Sequence, residues 1–457
     1  MLLLVVLTAH LFLLFFSKFT LWPEMVVYPY LINSGFQLYK DIINPYPPLF
    51  TLFLSLFSRL FGYQPQSYQF LTWFLILTCD ITIFLISRKI YKKNSYAVIA
   101  TAFFALISLA FSVNGPWFDL AQTPLILLAF YFFQKFLFGG KSKELLTTAF
   151  LLTIAFFIKQ NVVWFGVFIT LALFSKFREK TFSLLMKNIY IVFPFLTILT
   201  LCLLYFFKTH TISNFVFWAF YFPFVKASQI PGYILLPTLK QLFVTFSLLV
   251  FFIPILVKGS NRSKLAFLAA LSLLLFAYPR FDYFHLIPSL SLLSLSVGEN
   301  ITFLKKVNMP IKIISLMSLV FLTIFTARYL SRNWTQEVRF FEHDIFSSSI
   351  VIQKITKKNE SIYIQNGPDQ ILPLSGRLPT KPWADDFPWY LEINNTQGKV
   401  LEGLEDQNPK YIISKPFEQG EKFGLASYRP TKIADFIDSH YHNVIQISDT
   451  LWLKERI

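Results

Sequence analysis

Eight polar residues capable of chemistry stand at the ends of long apolar runs or between them. They are Glu24, Lys40, Asp41, Asp119, Lys159, Gln160, Arg280 and His285. Ionisable groups at membrane depth are costly to place there and tend to be functional. A carboxylate can take a proton from a hydroxyl as a general base, and Arg, Lys and His can hold a phosphate or diphosphate. In apolar surroundings, this set suits group transfer from a lipid-phosphate donor.

Each of these residues also has a structural alternative. Lys40 can contact lipid head groups, and Asp41 can cap a turn. Lys159 can reach the membrane surface from a helix end. Arg280 and His285 can anchor a short turn at the membrane boundary. The choice between these alternatives depends on which side chains the fold brings together.

Signatures of metal sites and nucleotide sites do not stand out in the sequence. The six His do not pair at ligand spacing, there is no Cys cluster, and there is no glycine loop of the phosphate-binding kind. No metal ligand is therefore assigned, and a role for a divalent metal is left open. Asp80 lies inside an apolar run, and we expect it to make a buried structural hydrogen bond rather than to act in catalysis.

The composition is that of a membrane protein. The 457 residues are 55% hydrophobic and 14% charged, with a mean hydropathy of +0.54, whereas soluble domains are about 25% charged. Long apolar runs end near Ala327. We therefore predict a transmembrane catalytic domain over residues 1–328 and an extracytoplasmic soluble domain over 329–457. The net charge of +16 is attributed to cytoplasmic loops and anionic head groups, not to nucleic acid.

Eleven apolar segments are predicted to span the membrane, where about 20 residues are needed. They are residues 2–20, 68–87, 95–112, 118–134, 145–158, 161–175, 189–207, 236–257, 265–279, 285–298 and 313–328. The first lacks a basic start and a small-residue cleavage site, so we expect a retained anchor rather than a signal peptide.

The positions of the Lys and Arg clusters indicate whether a twelfth apolar run, residues 48–62, spans the membrane. The five clusters lie within residues 88–93, 135–143, 176–187, 258–264 and 305–312. With eleven spans, all five face the cytoplasm, as the positive-inside rule requires. Residues 48–62 are therefore predicted to be an amphipathic helix along the outer interface, with Arg59 toward the head groups. The first external loop then covers about 21–67, on the same side as the C-terminal domain.

The C-terminal segment is predicted to be a small α/β domain. Residues 361–366 and 410–415 read as short buried strands, and 429–441 as a helix with Pro430 near its start. Residues 443–456 read as a closing hairpin. Nothing in this segment resembles a catalytic constellation, so we expect a lid or an acceptor-binding module.

Several stretches resemble the GT-C type of integral-membrane glycosyltransferase, and in particular the family-39-like enzymes related to protein O-mannosyltransferases and aminoarabinose lipid A transferases. The stretches are WPEMVVYPYLINSGFQLYKDIINPYPPLF, NGPWFDLAQTPLILLAF, AFFIKQ and YPRFDYFHLIPSLSLL. Their order and their common external side carry the resemblance, which covers nearly the whole chain. It implies a polytopic α-helical membrane fold with interfacial helices in the first external loop.

The resemblance implies inverting transfer of a sugar from a polyprenyl-phosphate donor to a glycan, lipid or protein acceptor at the outer face of the cell membrane. The base would be the first-loop carboxylate, Glu24, although the family's Asp-Glu pair is Pro23–Glu24 here, which leaves Asp41 as the other candidate. The resemblance assigns donor-phosphate contacts to Lys159, Arg280 and His285. Asp119 is a second acidic site residue or a helix cap.

Two other classes of protein are alternatives. A transporter or flippase would show internal repeats or glycine-broken helices, and the chain has no evident repeat and only 15 glycines. A scaffold without chemistry of its own would leave the external carboxylates and cations without a shared purpose. The polar first loop and the folded C-terminal segment favour an interfacial enzyme.

Overall fold

The computed structural model describes residues 1–178, 189–358 and 360–457. Lys180 and Lys187, which belong to the third basic cluster of the sequence, lie outside the described residues. Most of the described chain is helical. Long runs of Leu, Phe and Ile favour helices in an apolar solvent, because every backbone group there must find a partner within its own segment.

The α-helices are, in chain order, α1 Leu2–Phe16, α2 Glu24–Asn33, α3 Pro48–Phe61, α4 Pro65–Tyr91, α5 Asn94–Ser112, α6 Phe118–Leu137, α7 Ser142–Ile158, α8 Val163–Phe177, α9 Phe193–Lys208, α10 Ile212–Val216, α11 Leu239–Phe251, α12 Ile253–Lys258, α13 Asn261–Leu273, α14 Ile287–Ser294, α15 Val297–Leu304, α16 Met309–Arg332, α17 His343–Ile355, α18 Ile371–Ser375, α19 Pro388–Leu391, α20 Thr396–Gln407 and α21 Thr431–His440. A π-helix covers Phe217–Lys226. Short 3₁₀ turns cover Gln160–Val162, Ile189–Val192, Ala227–Gln229, Leu274–Ala277 and Tyr283–Leu286.

The strands are β1 Phe19–Thr20, β2 Val338–Arg339, β3 Ser361–Gln365, β4 Leu378–Pro379, β5 Tyr411–Ser414, β6 Tyr441–Gln446 and β7 Trp452–Arg456. The last five form one sheet in the order β4-β3-β5-β7-β6. The two strands predicted over 361–366 and 410–415 are thereby confirmed, and so is the closing hairpin, in which β6 and β7 pair antiparallel.

The chain forms two compact units that interleave along the sequence. The first contains Met1–Thr20, Gln69–Cys202 and Leu235–Gln336, and the second contains Leu21–Tyr68, Leu203–Ile234 and Glu337–Ile457. The first loop therefore packs with the C-terminal segment inside one unit. The predicted boundary at residue 328 concerns which residues lie in the membrane, and it stays a prediction.

The core of the first unit is built from apolar side chains of the long helices. Phe104, Phe130, Phe133, Leu248 and Leu290 are buried in one continuous cluster. Helices α6 and α7 pack against each other, and α5 contacts α1, α14, α15 and α16. Helix α5 is therefore a central element of this unit.

The structure does not confirm the predicted number of eleven spans. Among the described residues, seven helices are long and apolar enough to cross a membrane, or eight if the bent pair of α14 and α15 is one span. Helices α1, α7 and α13 have only 15, 17 and 13 residues. Apolar runs in the sequence continue across breaks between helices. Hydropathy along the sequence does not detect these breaks, so it predicts more spans than the structure shows.

Asn114 fixes the end of α1 within the first unit. Its Nδ2 donates to the carbonyl oxygens of Leu14 and Ser17 at 2.9 and 3.0 Å, and its Oδ1 accepts from Trp73 Nε1 at 3.2 Å. The side chain thus satisfies carbonyl groups that the helix end leaves without intrahelical partners.

A buried pair of ionisable side chains joins α1 to α4. His10 Nδ1 lies 2.7 Å from Asp80 Oδ2, and both residues are almost fully buried. The buried hydrogen bond predicted for Asp80 is confirmed. A carboxylate inside an apolar bundle requires such a partner because an isolated buried charge is costly.

The second unit contains the C-terminal sheet and two helices of the first loop. Strand β3 pairs parallel with β4 and β5, and Ile362, Ile364, Ile412 and Ile413 are buried in the middle of the sheet. Helix α2 packs on α3. Helix Thr431–His440 confirms the helix predicted over 429–441, with Pro430 directly before it.

Helix α3 confirms the amphipathic helix predicted over 48–62. Phe50 and Leu54 are buried on one face, whereas Leu56, Leu60 and Phe61 are exposed on the other. Pro47 and Pro48 begin the helix, where the missing N–H of proline costs nothing. An exposed apolar face suits contact with lipid acyl chains, and its position along the outer interface stays a prediction.

Candidate functional site

Glu24 stands in the first turn of α2, directly after Pro23. The first helical turn fixes its backbone, because the amide groups of Val26 and Val27 donate to the Pro23 carbonyl. The Oε2 atom of Glu24 is buried and makes no hydrogen bond among the described residues. A carboxylate oxygen held this way is available to accept a proton.

Two carboxylates of the C-terminal segment, Asp369 and Asp385, interact with Glu24 within the second unit, and both also interact with Asp386. Asp385 accepts a hydrogen bond of 2.8 Å from the Tyr28 hydroxyl, one helical turn along α2 from Glu24. Asp385 interacts electrostatically with Glu24, Asp369 and Asp386. We call Glu24, Asp369, Asp385 and Asp386 the carboxylate cluster.

Burial is the main influence on the cluster's protonation. It raises the pKa of Glu24 from 4.5 to about 7 and that of Asp386 from 3.8 to about 7. Burial, followed by the charges of Glu24 and Asp369, raises the pKa of Asp385 well above its usual range. Burial and the Asp386 charge do the same for the pKa of Asp369. A carboxylate that titrates near neutral pH is well matched to general base catalysis.

The sequence analysis missed the three aspartates of this cluster. The signals are the WADDF run at 383–387 and the P-D pair at 368–369, where acids stand among aromatic residues and prolines. The acids look like ordinary turn residues because their partner, Glu24, is more than 340 positions earlier in the chain. The expectation that the C-terminal segment carries no such constellation is corrected by this placement.

Asp41 is tied into the turn that contains it. Its Oδ2 accepts from the Gln37 amide at 2.9 Å and lies 3.3 Å from Lys381 Nζ. The Trp383 amide donates to the Asp41 carbonyl at 2.8 Å. These contacts match the turn-capping alternative for Asp41. Lys40 beside it is exposed.

Asp119, Lys159 and His285 come together inside the first unit. Asp119 Oδ2 lies 2.6 Å from Lys159 Nζ and 2.8 Å from His285 Nδ1. The Lys159 and His285 nitrogens are 3.3 Å apart. The Asp119 side chain is fully buried, whereas those of Lys159 and His285 are 10% and 12% exposed. The sequence had predicted all three as site residues, and the fold makes them one cluster.

A helix start, a helix break and a 3₁₀ turn position these three side chains. Asp119 stands in the first turn of α6. Lys159 has an extended conformation at the break between α7 and the 3₁₀ turn Gln160–Val162. His285 stands in the 3₁₀ turn Tyr283–Leu286, which Asp282 caps by accepting from the Tyr283 amide at 2.6 Å. Breaks between apolar helices thus create the polar centre.

Two amide side chains complete the cluster around Asp119. Asn161 Nδ2 donates to Asp119 Oδ1 at 2.8 Å, and Gln122 Nε2 donates to Asn161 Oδ1 at 2.9 Å. The second carboxylate oxygen is therefore satisfied as well. These hydrogen bonds hold the Asp119 carboxylate in a fixed position.

Gln160 and Arg280 occupy positions near these breaks in the chain. Gln160 follows Lys159 and is 7% exposed. Arg280 is half-buried, and its backbone forms an isolated parallel β-bridge with Leu235. The polar contacts described above for the Asp119 cluster involve neither of these two side chains.

No described group of three or more His, Cys, Asp or Glu residues is arranged to hold a metal ion. The described residues around Glu24 therefore supply no ligand set for the divalent metal that the sequence left open.

The fold is similar to that of GT-C type membrane glycosyltransferases. ArnT from Cupriavidus metallidurans, solved with bound undecaprenyl phosphate, superposes with a TM-score of 0.59 over 99% of this chain and 98% of its own, at 11% identity. The Archaeoglobus fulgidus oligosaccharyltransferase tethered to an acceptor peptide gives 0.53 over 96% of this chain and 72% of its own, at 10% identity. The resemblance inferred from the sequence is confirmed.

A family model agrees with this class. Residues 45–207 match the family described as dolichyl-phosphate-mannose-protein mannosyltransferase. No curated protein sequence matches the chain. The family match covers the region that contains Asp119 and Lys159, and it leaves Glu24 and His285 outside its limits.

Proposed function

We propose that the protein transfers a sugar from a polyprenyl-phosphate donor to an acceptor at the outer face of the cell membrane, with inversion at the anomeric carbon. The observation that carries this proposal is the buried Glu24 carboxylate, whose pKa is raised to about 7 by burial. The fold and the family match support the class of reaction. Bound undecaprenyl phosphate in ArnT supports the class of donor.

Glu24 acts as the general base in this proposal. Its free Oε2 takes the proton of the acceptor hydroxyl while that oxygen attacks the anomeric carbon of the donor. The bond between the anomeric carbon and the phosphate oxygen breaks, and polyprenyl phosphate leaves with the electron pair. The Asp41 carboxylate already contacts Lys381 and accepts from the Gln37 amide. In this proposal Asp41 therefore stabilises the loop and does not transfer the proton.

Lys159 and His285 are proposed as contacts for the donor phosphate. A lysine ammonium has three N–H donors, and the bond to Asp119 uses one of them. The partial exposure of both side chains leaves an edge for an anionic ligand. Asp119 keeps both side chains in place and offsets the charge of the Lys159 ammonium, because an unpaired buried charge is costly. Arg280 and Gln160 remain proposed members of the same donor region.

The location of the C-terminal segment is part of the proposal. With the basic loops on the cytoplasmic side, the first loop and the C-terminal segment are on the outer face. Both belong to the second unit, which supports a common location for Glu24 and the three aspartates.

Sugar release from radiolabelled polyprenyl-phosphate sugars by the purified protein in lipid nanodiscs tests the proposal. Wild type is compared with Glu24→Gln and with Glu405→Gln, an exposed acid on α20 as the matched control. We expect release by wild type and the control, and loss in Glu24→Gln with unchanged folding. Folded wild type that consumes no donor of the panel would overturn the proposal.

A further inference from the structure

The second unit contains a cavity, lined in part by charged side chains, that the proposed chemistry does not use. Its volume is about 380 Å³, and residues of the first loop, of the segment 203–234 and of the C-terminal segment line it. This size lies within the range of about 300–1,000 Å³ that is usual for small-ligand sites. The YKDI stretch of the first loop, residues 39–42, contributes Lys40 and Asp41 to one wall.

Backbone contacts fix that wall. The Trp383 amide donates to the Asp41 carbonyl at 2.8 Å, and the Ile43 amide donates to the Trp383 carbonyl at 3.2 Å. Lys381 Nζ lies 3.3 Å from Asp41 Oδ2 and 4.3 Å from the centre of the Phe36 ring. The first loop is thus joined to residues 381–383 by both backbone and side-chain contacts.

Helix α20 also lines the cavity. Gln407 accepts from the Lys381 amide at 3.0 Å and donates to the Lys381 carbonyl at 2.7 Å. A Cβ atom at Gly403 would lie 2.1 Å from the Lys381 carbonyl oxygen, so only glycine permits this approach of helix to loop. Both parts of the lining are therefore preorganised before any ligand arrives.

The lining combines balanced charge with unengaged polar groups. Three lysines, at 40, 381 and 399, face three acids, at 41, 402 and 406. Among the described residues, Lys40, Lys399, Glu402 and Asp406 form no ion pair within 4 Å. Asn214, Asn394 and the buried Trp218 are among the other lining residues.

This lining discriminates between classes of ligand. A phosphate site would carry an excess of cations, and an apolar ligand would leave the charged groups desolvated without partners. Sugar hydroxyls can donate to carboxylate and amide oxygens and can accept from ammonium and amide N–H groups. The lining suits a neutral, polyhydroxylated ligand.

We propose that this cavity binds a neutral saccharide unit of the acceptor. The proposal rests on the proposed glycosyl transfer and deepens it, because it makes the acceptor a glycan-bearing molecule. A lipid-linked sugar and a free oligosaccharide present the same chemistry to the cavity. Glu402, Asp406 and Asn394 bind the hydroxyl groups.

Saturation-transfer NMR with the full-length protein in nanodiscs tests the site. The probes are maltose, cellobiose, gentiobiose and chitobiose, and the variants are Glu402→Gln/Asp406→Asn and Asn394→Ala. Glu405→Gln is the matched control, because it changes an exposed acid on the same helix outside the lining. We expect at least one disaccharide to bind, with about tenfold weaker affinity in the lining variants and unchanged affinity in the control.

Two results would overturn the saccharide site. One is the absence of binding for every disaccharide, and the other is binding that the lining variants leave unchanged. Stronger binding of a neutral tripeptide, Gly-Ser-Gly, in competition with the disaccharides would also overturn it, in favour of a peptide acceptor. Chitobiose linked to a short-chain lipid separates the two sugar sources, since a lipid-linked acceptor gains affinity over the free disaccharide.

The donor assay separates this inference from the proposed function. Consumption of donor that depends on Glu24, together with no disaccharide binding, would overturn the saccharide site and leave the transferase standing. Disaccharide binding that depends on Glu402 and Asp406, together with no consumption of any donor, would support a saccharide site and overturn the transferase.

Discussion

Asp119 Oδ2 and Lys159 Nζ lie 2.6 Å apart in an ion pair whose carboxylate is fully buried. The pair joins the first turn of α6 to the break after α7, 40 positions along the chain. His285 shares the same carboxylate oxygen at 2.8 Å. One carboxylate oxygen thus contacts both the Lys159 ammonium and the His285 imidazole.

Removing Asp119 is expected to destabilise the first unit. Asp119→Ala leaves Lys159 buried without its partner, which costs about 3–5 kcal/mol. Chemical denaturation in detergent, followed by tryptophan fluorescence, measures the loss. The double variant Asp119→Asn/Lys159→Gln should recover part of it, because the unpaired charge is gone. Equal stability of Asp119→Ala and wild type would contradict the ion pair's structural role.

Glu24→Gln is expected to abolish transfer. A glutamine has nearly the same shape but cannot accept the proton, so turnover should fall at least about 100-fold. The wild-type pH profile of kcat/KM should rise to a plateau with an apparent pKa of about 7, since burial raises the pKa of Glu24 to that value. Turnover of polyprenyl-phosphate sugar between pH 5 and 9 measures both. A Glu24→Gln enzyme with the wild-type profile would exclude Glu24 as the base.

Stability should fall as the pH rises from about 4.5 to 7. Burial raises the pKa of Glu24 from 4.5 to about 7, so in this window the folded protein binds more protons than the unfolded chain. The free energy of unfolding then decreases by up to about 1.4 kcal/mol per pH unit for this group. Thermal unfolding of Glu24→Gln, compared with wild type, isolates the contribution of Glu24. The variant should lose less stability across the window, and a slope identical to that of wild type would refute the raised pKa.

Asp41→Asn should affect turnover only slightly. Lys381, the ion-pair partner of Asp41, is 42% exposed, and ion pairs at such exposure contribute about 1 kcal/mol or less. We therefore expect less than about a fivefold change in donor consumption. The same donor assay measures it, beside Glu24→Gln. A loss as large as that of Glu24→Gln would move the role of base to Asp41.

The His10–Asp80 pair is expected to be structural. Asp80→Ala removes the partner of His10 and opens a buried space, so it should lower stability. His10→Leu/Asp80→Leu replaces the pair with apolar groups and should be close to neutral, as replacements of buried ion pairs often are. Thermal unfolding and donor turnover of both variants measure this. Loss of turnover in a stable double variant would assign the pair a functional role.

Local sequence patterns predicted much of the fold. Hydropathy identified the apolar helices, and the proline-bounded run at 48–62 was correctly predicted as the amphipathic helix α3. Strands β3 and β5 and helix α21 followed from short-range patterns of apolar and turn residues. These features depend on the few residues that each element contains, and so they can be read along the chain.

The sequence by itself determined which polar residues interrupt the apolar runs, and Asp119, Lys159 and His285 were found in this way. Only the tertiary structure decided their partners. It placed one carboxylate between a lysine and a histidine, and it brought Glu24 close to Asp369 and Asp385 of the C-terminal segment. Partners this far apart in the chain leave no local pattern. Burial, which raises the pKa of Glu24, is set by how the whole unit packs around that side chain.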